Sequence, residues 1–282
     1  MSDATKKSWL ARVPIVGERL ADRIQGVPTV AVIRLTGVIG QMAPVRRGGL
    51  TLADQAETIE KAFKLPRAKA VAVAVNSPGG SPVQSALIAG RLRALSEENK
   101  IPVYAFCEDV TASGGYWLAC AADEIWVDAN TIIGSIGVIF ASFGFHDLLT
   151  RHGVERRVHT AGESKAMLDP FQPEKEEDIA RLTRMQEAIH ANFKDHVRRA
   201  RGAKLADGLF TGEVWVGAEA VENGLADGVG HLAPIMAEKL GAKPRFRVYG
   251  PRKSLFSRLG APGAAELAQV VEDRALWARF GL

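Results

Sequence analysis

Residues 69–75 read KAVAVAV, apolar at every position after the leading lysine. A strand with one wet face alternates apolar and polar residues. A run with no polar beat is buried on both faces, as in the inner strands of a parallel sheet. That places helices above and below the strand, and the rest of the chain supplies them. Strand-like runs at 28–39, 69–75, 102–106, 124–127, 131–140 and 154–160 are interleaved with helical patterns at 51–64, 83–98, 114–122, 145–152 and 173–201. Strands alternating with helices predict an α/β fold with a mostly parallel sheet.

The last of these helices carries Ile179, Leu182, Met185, Ile189, Phe193 and Val197 at steps of three and four, one amphipathic face. Its start is acidic and its end basic, in keeping with the helix dipole. Residues 211–230 read as turns around a short helix near 218–222, followed by a strand at 245–249 and a helix at 264–275. The organisation expected is a basic amphipathic N-terminal arm over 1–26, a central domain over 27–242 and a basic extension over 243–282 that serves assembly or faces a membrane.

Charge supports that division. Residues 1–26 hold five Lys/Arg against three Asp/Glu, and residues 243–282 eight against three, so that 27–242 is net negative within a total of +4. A basic balance confined to the ends does not describe a nucleic-acid groove. It suits arms that touch a partner subunit or an anionic membrane surface, or simply solvated ends. No apolar run reaches the roughly 20 residues of a membrane span, and charges interrupt any signal-peptide core at the N-terminus. The expected location is cytoplasmic, or peripheral at the inner membrane. The two cysteines, Cys107 and Cys120, sit in apolar contexts and read as small core residues rather than a disulfide.

In parallel α/β folds reactive groups collect at the carboxyl ends of strands. Two such turns stand out. Asn76-Ser77-Pro78-Gly79-Gly80-Ser81-Pro82 follows one strand, and Asp109-Val110-Thr111-Ala112-Ser113-Gly114-Gly115-Tyr116 follows the next. Ser113 at a strand-to-helix turn projects its hydroxyl beyond the strand, at the positive end of a helix where N–H groups lack partners. Acyl chemistry needs both a nucleophile and such donors. The plainer roles are a helix N-cap for Ser113 and an ordinary turn for the glycine pair. A serine hydroxyl also needs a base. The six histidines (146, 152, 159, 190, 196 and 231) form no triad context and show no metal-ligand spacing. A neutral lysine is the alternative, and Lys165 is flanked by Gly162, Ala166, Met167 and Leu168. An exposed loop lysine is its plainer role.

Four stretches, VNSPGGS at 75–81, TASGGYWLA at 111–119, GSIGV at 134–138 and AGESKAMLDPF at 161–171, together resemble the signal peptide peptidase A family of serine peptidases in order and spacing. The resemblance covers roughly residues 28–235. It implies the Clp protease/crotonase-like fold, a spiral of βαβ units, and a Ser/Lys dyad in place of a triad. It makes Ser113 the nucleophile, Lys165 the general base, the N–H groups of Gly80 and Gly114 the oxyanion hole, and Ser135 the residue that orients the lysine amine. No metal or cofactor is implied. The substrate implied is an extended peptide, such as an unfolded segment or a cleaved signal peptide, hydrolysed through an acyl-enzyme. Relatives assemble into homo-oligomeric rings or domes in which the dyad can be completed between subunits.

Two departures stand out: no N-terminal membrane anchor precedes the domain, and Ser164 stands before the lysine where many relatives have an aromatic residue. The competing readings are a crotonase-like acyl-CoA enzyme, which leaves the Ser113/Lys165 pairing a coincidence, and a non-catalytic scaffold that keeps the fold.

Overall fold

The strand over KAVAVAV is the centre of the molecule. In the computed structural model, which describes residues 26–40, 50–162, 164–250 and 274–281, it runs over Ala68–Ser77 as β2. It pairs in parallel with β1 (Thr29–Thr36) on one side and β3 (Val103–Ala112) on the other. β1 also pairs with β8 (Arg245–Tyr249), which closes that edge. β3 forks: its first half pairs with β4 (Glu124–Val127), its last residues with β5 (Ile132–Gly134). β4 leads to β7 (Gly228–Val229), and β5 to an antiparallel pairing with β6 (Val214–Val216).

The alternation of valine and alanine in β2 assigns its two faces. Val71, Val73 and Val75 enter the larger core with Ile33, Leu35, Ile88, Leu92 and Tyr116. That face is covered by α1 (Leu52–Phe63), α2 (Pro82–Asn99) and α3 (Gly114–Ala119). Ala70 and Ala72 enter a thinner layer with Val30, Val32, Phe106 and the buried Ile235 and Met236 of a helix over Leu232–Leu240. Two-sided burial is therefore as expected, and side-chain size decides which layer is thick. Local signals set the helix starts: Thr51 caps α1 by accepting from the Asp54 N–H, and Ser81 caps α2 from the Gln84 N–H with Pro82 at its first position.

Several expected elements differ. The strand expected over 102–106 continues to Ala112, directly into Ser113. The strand expected over 131–140 is only Ile132–Gly134, because Gly134 (φ 107°) and Ser135 (φ 52°) leave the extended region and end it. The segment 154–160 is exposed and forms no strand, since no strand lies beside it among the described residues to complete a ladder. Between β5 and the long helix, among the described residues, only α4 (His146–Arg151) forms. The long helix, α5, spans Glu176–Arg201. β6, β7 and the helix at Leu232–Leu240 were not expected. Of the N-terminal arm only Gly26 is described; the 41–49 loop and most of the 264–275 helix also lie outside the described residues.

Candidate active site

β3 delivers Ser113 to the carboxyl edge of the sheet. Its N–H still belongs to the ladder, donating to the Gly134 carbonyl at 2.8 Å, while its own carbonyl accepts the first bond of α3 from Trp117 N–H at 3.0 Å. The chain turns between these two bonds, and Ser113 makes the turn with φ 52° and ψ −121°. A side chain in that region costs on the order of 1–3 kcal/mol and is kept only where the surroundings enforce it. Ser113 occupies the N-cap position, yet its hydroxyl makes no capping bond. The plain capping role is thereby removed.

The glycine pair closes on this turn. The Ile39 N–H donates to the Gly79 carbonyl at 2.8 Å, and the Ser81 N–H donates to the Ile39 carbonyl at 2.8 Å. This ladder brackets Gly80, so its own N–H points away from Ile39. A Cβ at Gly80 would overlap the Ile39 carbonyl oxygen, and one at Gly79 would sit 2.7 Å from the Ser113 Cβ. A Cβ on Gly114 would lie 3.4 Å from the Gly80 nitrogen, so the two N–H groups are close together. Among the described residues neither Gly80 nor Gly114 donates its N–H to a backbone carbonyl. Two free donors thus lie beside a free hydroxyl, the arrangement a developing oxyanion requires.

Ser135 joins them. Ala112 and Gly134 are paired residues of β3 and β5, and the Ser113 N–H bonds the Gly134 carbonyl, so Ser135, the next residue, follows beside Ser113. The Ser135 N–H donates to the Glu213 carbonyl at 2.7 Å, and Ser135 lines a cavity of about 540 Å³ with Glu213, Trp215, Arg279 and Phe280. The structure therefore brings Gly80, Ser113, Gly114 and Ser135 together.

Lys165 is not among them within the described contacts. It lies in an exposed turn, its N–H donating to the Gly162 carbonyl at 3.2 Å, with no side-chain hydrogen bond or ion pair among the described residues. The segment that precedes it, joined to residues 170–171 by the Phe145 N–H donating to the Pro170 carbonyl and by the Phe145–Phe171 stack, presents Ile139, Phe140, Phe143, Leu148 and Val154 to solvent, with Phe143 79% exposed.

Behind the turn lies a set of contacts that the sequence pattern did not indicate. The buried Tyr116 donates its hydroxyl proton to the Leu225 carbonyl at 2.9 Å. Arg201, at the end of α5, donates to the Gly224 carbonyl and to Asp227 at 2.6 Å. Burial alone would raise the Asp227 carboxyl; hydrogen bonds from Arg201, Lys204 and the Ile125 N–H outweigh it and hold it below the ordinary range. Two of the histidines without a triad context also bond here: His196 Nε2 to the Trp117 carbonyl and His190 Nε2 to the Ile136 carbonyl, each at 3.0 Å. Cys107 and Cys120 are free and buried, and burial pushes both thiols up to about 12, so neither is a nucleophile. Among the described residues no group of His, Cys, Asp and Glu could hold a metal ion.

Fold and turn define a class: a Clp protease/crotonase-like α/β protein with a strained serine at the carboxyl edge of its parallel sheet. The sequence model of peptidase family S49 matches residues 96–241, and the chain belongs to that family. The signal peptide peptidase A resemblance is borne out by its relatives. The chain is 32% identical over 165 residues to a putative signal peptide peptidase SppA of Enterococcus faecium, covering 58% of this chain and 48% of that one. It is 32% identical over 191 residues to the probable protease SohB of Haemophilus influenzae, covering 67% and 54%. It is also 46% identical over 279 residues to a protein of Brucella melitensis named Na(+)/H(+) antiporter NhaA, covering 92% of this chain and 38% of that one. The chain thus spans between about a third and just over half of these relatives' lengths. Among solved structures, a mutant of the 1510-N membrane-bound stomatin-specific protease superposes with a TM-score of 0.50 at 14% identity, over 80% of this chain and 99% of that one. At that identity the likeness is one of fold.

Proposed function

We propose that the chain is a serine endopeptidase acting on extended peptides through a Ser113/Lys165 dyad. The observation that carries this reading is the Ser113 turn: a strained serine with an uncapped hydroxyl beside the free N–H groups of Gly80 and Gly114. Neutral Lys165 takes the Ser113 proton as Oγ attacks the peptide carbonyl, and the two N–H groups hold the oxyanion. Lys165 then protonates the leaving amine. The Lys165 amine then takes a proton from water as the water oxygen attacks the acyl-enzyme ester, and the ammonium returns that proton to Ser113 Oγ as the ester bond breaks. Ser135 orients the lysine amine from its place beside Ser113.

The exposed position of Lys165 supports completing the dyad on assembly. The preceding segment, 139–154, carries an apolar surface that a second copy of the chain would cover, as a homo-oligomeric ring or dome requires. Peripheral membrane contact through the basic ends is part of the same proposal. The antiporter name of the Brucella relative is not carried over: the match covers 38% of that protein. Among the described residues no helix is long and apolar enough to cross a membrane.

The test is hydrolysis of unstructured fluorogenic peptides by wild type, Ser113→Ala and Lys165→Ala, with size-exclusion to show that all three share one assembly state. Loss of hydrolysis in both variants is expected. Retention in Lys165→Ala would assign the base elsewhere, and an inert, correctly assembled wild type would overturn the peptidase reading.

A further inference from the structure

The two histidines of α5 bond to carbonyls on either side of the site. His196 Nε2 lies 3.0 Å from the carbonyl of Trp117, in the last turns of the helix that Ser113 begins, where carbonyls have no partner within the helix. Its ring stacks on Trp117 at 5.0 Å, and Trp117 stacks on Phe193 of the same α5 at 4.8 Å. His190 Nε2 lies 3.0 Å from the carbonyl of Ile136, the residue after Ser135. A carbonyl only accepts, so both imidazoles carry their proton on Nε2. Ile136 is fully buried, in a segment that has left β5 and its ladder. The tight turn around it is closed by the Gly137 N–H donating to the Ser135 carbonyl at 2.9 Å, with Ser135 itself at φ 52°.

We propose that His190 is a positioning residue for the reaction: by holding the Ile136 carbonyl it fixes the turn that carries Ser135, while His196 ties the same helix to the one that carries Ser113. α5 is then a brace that sets the distance between the two serines. The two side chains are six residues apart, about 9 Å along a rigid helix axis. Neither histidine exchanges a proton with substrate. This inference rests on the peptidase reading, in which the Ser113–Ser135 geometry matters.

The experiment uses the full chain and the same fluorogenic peptides, with Ser113→Ala as background. His190→Ala is expected to lower kcat about ten- to a hundredfold, the scale of a small misplacement at a reacting group, with KM within about twofold. His190→Gln, whose amide N–H reaches toward the same carbonyl, is expected to recover most of the loss. Val197→Ala, a buried position on the same helix, controls for stability alone: at an equal fall in melting temperature it is expected to keep kcat. A wild-type kcat in His190→Ala, or an equal loss in Val197→Ala, overturns the inference and leaves the peptidase reading standing. Absence of Ser113-dependent hydrolysis in wild type overturns the reading itself.

Discussion

Ser113 and Ser135 sit on neighbouring strand ends, and both hold φ near 52° without glycine's freedom. Strain of on the order of 1–3 kcal/mol at each of two adjacent residues is kept against a simple remedy. Ser113→Gly is accordingly expected to raise the unfolding free energy by about 1 kcal/mol while hydrolysis falls to the Ser113→Ala level. Denaturant melts and peptide turnover, measured on the same preparation, check both signs. Gly80→Ala acts in the opposite sense, because the added Cβ would overlap the Ile39 carbonyl oxygen and displace the N–H beside Ser113. A fall in kcat on the order of 100–1,000-fold is expected, the loss of one oxyanion donor. The turns at Ser113 and Gly80 were legible because turn chemistry is local, but a serine before two glycines and a glycine pair after a strand also fit a cap and an ordinary turn, and only the four motifs taken together pointed further. That the hydroxyl caps nothing was not legible, since capping depends on the ψ of one residue.

α5 shows how far a periodic face predicts burial. Its six apolar positions form one stripe in the sequence, yet Phe193 and Val197 are buried while Ile179 and Met185 are exposed. Only the second half of the helix packs on α3, and its end is fastened by Arg201 to Asp227, with side-chain exposures of 2% and 13%. The Asp227 carboxyl is held below its ordinary range, so its contribution to stability is present above about pH 4 and is lost as the pH falls through the folded-state value. Urea midpoints are therefore expected to fall more between pH 7 and pH 3.5 in wild type than in Asp227→Asn. At pH 7, Asp227→Ala is expected to cost about 3 kcal/mol, because it leaves the buried Arg201 charge uncompensated.

At the scale of the whole molecule, residues 139–158 are the part that the described residues leave uncovered. Ile139, at 68% exposure, and Phe143 have no sheet or helix over them among the described residues. If a second copy covers them, Phe143→Asp is expected to dissociate the assembly in sedimentation velocity and to abolish hydrolysis with it, although Phe143 is outside the Ser113 turn. Mixing Ser113→Ala and Lys165→Ala chains, each inactive alone, is expected to restore part of the activity where the dyad forms between subunits; no restoration would place serine and lysine in one chain.

The sequence by itself determined the parallel α/β class, the two βα turns and the order of the four motifs, because two-sided burial and turn chemistry are written in residues that are neighbours along the chain. Tertiary structure alone decided that β3 forks, that β5 stops at Gly134 and that 154–160 has no strand to join among the described residues. It also decided that histidines 190 and 196 reach carbonyls 54 and 79 residues away. Those outcomes depend on which distant groups meet across the sheet, and no local periodicity carries that information.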